Sequence, residues 1–423
     1  MRPSPADPLF AGIDVGSSGA RAVVIDETGA TLSEGRASMA EFGTDPRNPM
    51  TWAAAVESAL GAALGCVARG RVAALAVDGT SGTLVAVDAR GEPLALARMY
   101  DDPCEDSALL AAIDAAAPAE SAARGPTSGL ARAALFARLK PARILHQADW
   151  IAFRFSGRFL SDANNALKTG FDPVVLAWPA WIERVGVDAA LLPEVVAPGA
   201  MVGTITPAAA RAFGLPADVG VAAGTTDGCA SFLATGASRV GDGVTALGAS
   251  LTLKLLSDRP IFAPRYGVYS HRLLDMWLAG GASNSGGAAL LAHFPPSEIE
   301  ALTPLIDPEA DSGLDYYPLT RKGERFPFAD PDFAPRMAPR PERREQFLQA
   351  ILEGVAGIEA LGYRRLADLG APRLVSMRTV GGGARNPAWT RIRERKLGVP
   401  FLEPISSEAA YGAALLARRA WSG

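Results

Sequence analysis

The sequence predicts an α/β protein made of two similar units, each with a small-residue hairpin between two apolar strands. Three observations predict it. Residues 10–26, FAGIDVGSSGARAVVID, are two apolar runs joined by a turn of glycine and serine, with Asp14 closing the first run. Residues 243–257, GVTALGASLTLKLLS, repeat that plan around Gly248, Ala249 and Ser250. Between such runs stand apolar stripes at helical spacing. The likeness of the halves lies in this plan, because their residue-by-residue identity is low. The physical reading is a pair of domains facing each other across a cleft. Each offers its hairpin to one phosphate chain, since a turn rich in backbone N–H groups holds anions.

In chain order, strands are expected near 10–15, 20–26 and 30–37. A helix follows, with Trp52, Val56, Ala59, Leu60, Ala63, Leu64 and Val67 on one stripe and Thr51 as its cap. VAALAVDG reads as a buried strand ending at Asp78, and a hairpin, a strand, a helix and a strand complete the unit. From about 103 to 215 the chain reads as mostly helical and rich in alanine and proline, with ILHQADWIAFRFSG a helix stopped by Gly157. VGVAAGTTDG is a strand that leads into small residues and Asp227. After the second hairpin come strands in YGVYSHRL and MWLAGG, then a long helix with Leu348, Ile351, Leu352, Val355 and Ile358 on one face. The chain closes with strand, glycines and helix in LVSMRTVGGGARNPAWTRIRERKLG.

Composition narrows the function. The 423 residues are enough for two domains with real cores, and a net charge of −4 with scattered basic residues argues against a nucleic-acid surface. The small cluster at Arg340, Arg343 and Arg344 reads as a solvated surface. Cys66, Cys104 and Cys229 are far apart and odd in number, which fits a reduced, cytoplasmic compartment and neither a disulfide framework nor zinc spacing. His146, His271 and His293 are isolated in sequence, which argues against a His-based metal site or a Ser-His-Asp triad. MRPSPADPLF lacks the apolar core of a signal peptide, and no stretch of 18 uninterrupted apolar residues argues for a membrane span.

Four stretches could carry chemistry. A carboxylate at Asp14, beside a phosphate turn, needs a cation such as Mg²⁺ between it and the phosphate; otherwise it caps the turn through backbone N–H groups. Arg21, on the next strand, either approaches phosphate or pairs with an acid. Asp227 stands at a strand-to-helix junction among small residues, where it is either an N-cap or a general base. In TVGGGARNPAWTRI the glycines admit a close ligand, and Asn386 and Trp389 either flank a purine or make a tight turn over a core tryptophan. Asp78, Thr80 and Ser81 are polar groups in an apolar hairpin, which either read sugar hydroxyls or serve the turn around Gly79 and Gly82.

Taken together and in this order, these stretches resemble the FGGY carbohydrate kinases over nearly the whole chain. GIDVGSSGARAVVID is similar to the family's first phosphate motif, and GTTDGCASFLATGASRVGDGVTALGAS to its second. VGGGARNPAWTRIRERKLGVPFLEPISSEAAYGAALLA resembles its adenosine motif and final helix, and SGLDYYPLTRKGERFPFADP its Gly-Glu-Arg segment. The resemblance implies an actin-like ATPase fold, with two ribonuclease-H-type domains around a nucleotide cleft. It implies a sugar-side domain over 1–234, with the final helix 408–423 packing back on it, and a nucleotide-side domain over 235–407. ATP and Mg²⁺ are the implied cofactors, with Asp14 facing the metal and Asp227 as catalytic base. Gly16, Ser17, Ser18, Arg21, Gly248 and Ser250 would hold phosphate, and Gly382, Gly383, Asn386 and Trp389 would lie at the adenosine. Ser18, Asp78, Thr80, Ser81, Tyr100 and Asp227 would meet the sugar. A monomer or homodimer is expected.

The departures fall on the sugar side. Where relatives often carry Gln-Met-His-Gly, this chain has Thr80-Ser81-Gly82-Thr83, and their Trp-x-Asp-x-Arg becomes MYDDPC around Tyr100. The chain is also shorter than typical glycerol and xylulose kinases. DGTSGT, QADW, NALKTG and LDYYPL most resemble the short bacterial and plant-chloroplast kinases assigned to D-ribulose, so the expected product is D-ribulose 5-phosphate. D-Xylulose or another pentulose or polyol is the alternative acceptor. An actin-like ATPase that acts as a conformational or assembly protein is the alternative from another class.

Overall fold

The computed structural model describes residues 7–423, and the chain forms two compact units. The first takes in the described residues up to Ala234, with His271–Asp275 and Glu408–Gly423. The second takes in Thr235–Ser270 and Met276–Ser407.

The first unit is built on a six-stranded sheet, ordered Thr31–Ser38, Gly19–Ile25, Leu9–Val15, Val72–Gly79, Gly220–Ala222, Met201–Thr204. Its central strand, Leu9–Val15, pairs antiparallel with Gly19–Ile25 across the hairpin and parallel with Val72–Gly79. Because side chains alternate along a strand, the two faces take different helices. Leu9, Ala11, Ile13 and Val15 pack with Trp52, Val56, Ala59 and Leu60 of the Pro49–Gly65 helix. Phe10 packs with Ala410, Ala413 and Ala414 of the Ala409–Ser422 helix. Gly12 lets that second helix in: a Cβ there would lie 1.9 Å from the Ala410 carbonyl oxygen.

Two expectations are corrected in this unit. The cap of the Pro49–Gly65 helix is Asn48, whose side chain accepts from Met50 N at 3.0 Å, with Pro49 preset for the first helical position. Thr51 is buried inside the first turn, and Val67 lies past the helix end. The stretch from 103 to 215 is less helical than its alanine content suggests. It breaks into the short helices Ser107–Ala116, Gly129–Ala137, Gln147–Ser156, Ala163–Leu167 and Pro207–Phe213, with short strands between. Residues 144–146 are strand, so the helix in ILHQADWIAFRFSG starts only at Gln147; it ends at Gly157, which is left-handed with φ +69°.

The second unit's strands run in the order Met276–Ser283, Leu251–Ser257, Asp242–Leu247, Ser376–Val380. The Arg344–Asp368 helix buries Leu348, Ile351, Leu352, Val355 and Ile358 against this unit's core. YGVYSHRL yields strand only over His271–Leu273, which belongs to the first unit. An ion pair lies inside the second unit's core: Arg393 donates to both carboxylate oxygens of Glu359, at 2.6 and 2.7 Å, and also to the half-buried Thr379 Oγ1 at 2.8 Å. Among the described residues, no helix is long and apolar enough to cross a membrane.

Candidate active site

Three carboxyl groups gather in the first unit. Asp14 and Asp78 are register partners at the ends of parallel strands, so their side chains leave the same face of the sheet. Gly79 and Thr226 form a parallel bridge that brings Asp227, the first residue of the Asp227–Ala234 helix, to the same end. Asp78 is fully buried, and no donor reaches either of its oxygens. Burial, and then the charge of Asp14, push its carboxyl well above the usual carboxylate range. Burial also pushes Asp14 up to about 6; a hydrogen bond with Asp78 and the Arg21 charge oppose this, while Asp227 and Glu408 reinforce it. Two carboxyls this close cannot both ionise without a cation; otherwise they share a proton.

Magnesium fits such a pair. It binds through one or two carboxylates, completes its shell with water and phosphate oxygens, and needs no protein cage. Among the described residues, no three His, Cys, Asp or Glu side chains are placed to hold a metal by themselves. Asp78 is fully buried and hydrogen-bonded to Asp14, so the structure favours support of the Asp14 carboxyl over a sugar contact.

The first hairpin turns tightly, with Gly16 N donating to Gly19 O at 3.0 Å, while Ser18 O accepts from Met39 N. Ser17 and Ser18 are left exposed at its tip. Beside it lies a cavity of about 340 Å³ lined by Asp14, Gly16, Ser18, Arg21, Arg36 and Ser38. Of the two readings of Arg21, the structure shows acid pairing: its Nη1 lies 3.4 Å from Glu408 Oε2 and 3.9 Å from Asp14 Oδ2.

Asp227 is half-buried, and its Oδ1 accepts from Gly228 N at 2.6 Å. That contact occupies one carboxylate oxygen, and a base needs the other within reach of a hydroxyl.

The 78–83 turn is held by residues outside the phosphate and adenosine motifs. Thr80 N donates to Gln147 Oε1 at 3.2 Å, and Gln147 N donates to Thr83 O at 3.0 Å. The Arg132 guanidinium donates to the carbonyls of Gly82 and Tyr100 at 3.0 and 2.7 Å. Tyr100 N donates to Thr83 Oγ1, while the Tyr100 side chain is exposed. His146, isolated in sequence, is buried in a network: Nδ1 meets Asp149 Oδ2 at 2.5 Å, and Nε2 meets Thr169 Oγ1 at 3.0 Å.

In the second unit, the turn carbonyls of Gly248 and Ala249 accept from Gly287 N and Ala288 N, which leaves Gly248 and Ala249 exposed. Gly381, with φ +90°, crosses Leu247 so closely that a Cβ would lie 2.8 Å from its carbonyl oxygen. Gly382 is exposed, and Gly383 lies over the Trp389 ring. One residue assigned to the adenosine is corrected here. Trp389 is 2% exposed and donates through Nε1 to Leu352 O at 3.1 Å, so it is core and supports the glycine loop from below. Asn386 is half-buried; its side chain accepts from Trp389 N as the cap of the Pro387–Leu397 helix and donates to Thr303 Oγ1. In the Gly-Glu-Arg segment, buried Glu324 accepts from Ser283 Oγ, Tyr317 Oη and Asn284 N, a structural knot.

Comparison with known proteins places this arrangement. Residues 132–234 match the FGGY family of carbohydrate kinases, N-terminal domain, and residues 243–421 match its C-terminal domain. The xylulose kinase of Streptomyces coelicolor is 30% identical over 451 aligned positions, covering 96% of this chain and 87% of that protein. The crystal structure of a xyloylose kinase from Brucella ovis superposes with a TM-score of 0.86 at 24% identity, over 98% of this chain and 91% of that one. A xylulose kinase from Bifidobacterium adolescentis gives 0.83 at 22% identity, over 99% and 93%. The mixed α/β architecture is therefore the actin-like ATPase fold of the sugar kinases, with two domains. An acid cluster beside an open small-residue hairpin, in a chain that matches both domains, leads to one conclusion: the chain belongs to the FGGY family of carbohydrate kinases, and it is a carbohydrate kinase.

Proposed function

We propose that this kinase transfers the γ-phosphoryl group of ATP to the terminal hydroxyl of a short ketose, with D-ribulose first and D-ribulose 5-phosphate as product. The observation that carries the choice of acceptor is the turn at 80–83, where Thr80 and Ser81 present small hydroxyl side chains and Ser81 Oγ has no protein partner. A site built on hydroxyls rejects an acceptor that leaves them unpaired. Thr80, Ser81 and Tyr100 then meet the sugar, together with Ser18 and Asp227.

In this reading the first unit takes the sugar and the second the nucleotide. Asp227 accepts the proton of the attacking hydroxyl through its free oxygen. The amides of Ser17 and Ser18, on the turn that Gly16 closes, and those of Gly248 and Ser250, orient phosphate oxygens, with Arg21 adding charge on the cavity wall. Gly382 and Gly383 border the adenosine. Asp14, backed by Asp78, would hold Mg²⁺, which when bound supplies charge neutralisation for the transferring phosphoryl group. Phosphoryl transfer needs positioning and charge stabilisation more than covalent help, and these residues provide the positioning. Three free cysteines suit a reducing cytoplasm.

D-Xylulose is the second reading, favoured by the xylulose kinase of Streptomyces coelicolor that aligns over nearly the whole chain. ADP release with a panel of ketoses, aldoses and polyols separates the two. D-Ribulose should lead in kcat/KM, and a clear lead for D-xylulose or glycerol would overturn the choice of acceptor.

A further inference from the structure

We infer that Arg132 and Gln147 are positioning residues that set acceptor specificity by clasping the 80–83 turn from two sides; this rests on the reading that the turn meets the sugar. Neither residue belongs to a phosphate or adenosine motif. Both are buried, Arg132 at 2% exposure and Gln147 at 0%.

Arg132 comes from the Gly129–Ala137 helix, whose start is fixed by the Ser128 side chain accepting from Ala131 N. Its guanidinium donates to the carbonyls of Gly82 at 3.0 Å, Tyr100 at 2.7 Å, Thr127 at 3.1 Å and Asp102 at 3.3 Å. One rigid fork thus joins the 80–83 turn to the 100–102 loop. A lysine, with a single point charge, cannot hold that many directions at once. The direct partners of Arg132 are these carbonyl oxygens, while the charges of Asp102 and Asp101 on the adjoining loop favour the cation from further away.

Gln147 holds the other side. Its backbone N–H donates to Thr83 O, and its side-chain oxygen accepts from Thr80 N. The His146–Asp149 pair and Thr169 lock the start of the helix that presents it. Thr80 and Thr83 are therefore fixed at their backbones, and Ser81 Oγ stands between them without a protein partner. Buried polar groups are seldom left unpaired, and a hydroxyl held so is ready for a ligand.

The test is steady-state kinetics of Arg132→Gln, Arg132→Lys and Gln147→Met, with melting curves as a check on folding. The acceptor is whichever ketose the wild-type protein prefers. An error in the D-ribulose assignment therefore changes the sugar used and leaves the comparison standing. Arg132→Gln should raise the sugar KM by about tenfold or more, the scale of one lost charged hydrogen bond, and hold the ATP KM within about twofold. The ratio of kcat/KM between the preferred and next-best ketose should shrink, and Arg132→Lys should recover part of it. If Arg132→Gln does not fold, Gln147→Met, which removes a single acceptor, is read by the same criteria. A folded variant that keeps the sugar KM and the ketose ratio of the wild type would overturn the inference. Equal losses toward sugar and ATP would also overturn it, since a merely structural role predicts them.

Discussion

Asp14 and Asp78 stand opposite each other on neighbouring parallel strands, and Asp78, the fully buried one of the pair, has no donor on either oxygen. This makes the ligand-free protein sensitive to pH in a definite direction. Asp14 is raised from 3.8 to about 6, so the folded state binds its proton more tightly than the unfolded chain does. Its contribution to stability is therefore full below the unfolded value and is lost as pH rises through about 6. Asp78 shifts in the same direction. A divalent cation reverses the loss by favouring the ionised pair. Millimolar Mg²⁺ should raise the melting temperature more at about pH 7.5 than at about pH 5. In Asp14→Asn the difference should shrink, and the variant should fold while losing most kinase activity. Equal Mg²⁺ shifts at both pH values in the wild type would argue against a cation at this pair.

Trp389 supports the glycine loop and does not face a nucleotide. Trp389→Ala should cost about 3–5 kcal/mol of stability, the range for deleting a large buried aromatic side chain. Thermal or denaturant unfolding measures this directly. Trp389→Phe should recover much of the loss while giving up the bond to the Leu352 carbonyl. A folded Trp389→Ala with wild-type stability and a raised KM for ATP would restore the adenosine reading.

The Glu359–Arg393 pair is buried at both ends, with side chains 0% and 1% exposed. Removing one partner leaves a buried charge, at a cost of about 3–5 kcal/mol. Glu359→Leu or Arg393→Met alone should thus be strongly destabilising. The double variant should be much less so, because a well-packed apolar pair of similar volume replaces a buried ion pair with little loss. Urea melts of the three proteins test this, and additive losses in the double variant would contradict it.

The strands of the two hairpins are legible because each is an apolar run broken by small residues, and they fold at Leu9–Val15, Gly19–Ile25, Asp242–Leu247 and Leu251–Ser257. Asp14, Asp78 and Asp227 are each legible as acids at the ends of such runs. That two of them share a register position is not, since register is a property of pairing between strands about sixty residues apart in sequence. Arg132 sits in none of the quoted motifs, and Gln147 opens QADW without any sign of what it touches. Their partners lie 50 and 67 positions away. Asn48 displaced Thr51 as the cap because Pro49 starts the helix three residues early. The alanine-rich stretch from 103 to 215 is helical by propensity, but prolines and glycines cut it into short pieces. Trp389 follows glycines on the chain, yet the helix turns its indole inward, a direction that one-turn spacing leaves undetermined.

The account rests most heavily on Asp227 as the base that takes the proton of the acceptor hydroxyl. Asp227→Asn keeps the size of the side chain and the oxygen that accepts from Gly228 N. It is also an equally good helix cap, so a capping role predicts a fully active variant. What asparagine cannot do is take a proton. The deciding measurement is the rate of sugar phosphorylation by purified, folded Asp227→Asn at saturating ATP and ketose. The predicted result is a fall of about two to four orders of magnitude with binding of both substrates retained, the usual effect of losing a general base. Phosphorylation at a substantial fraction of the wild-type rate would contradict the mechanism.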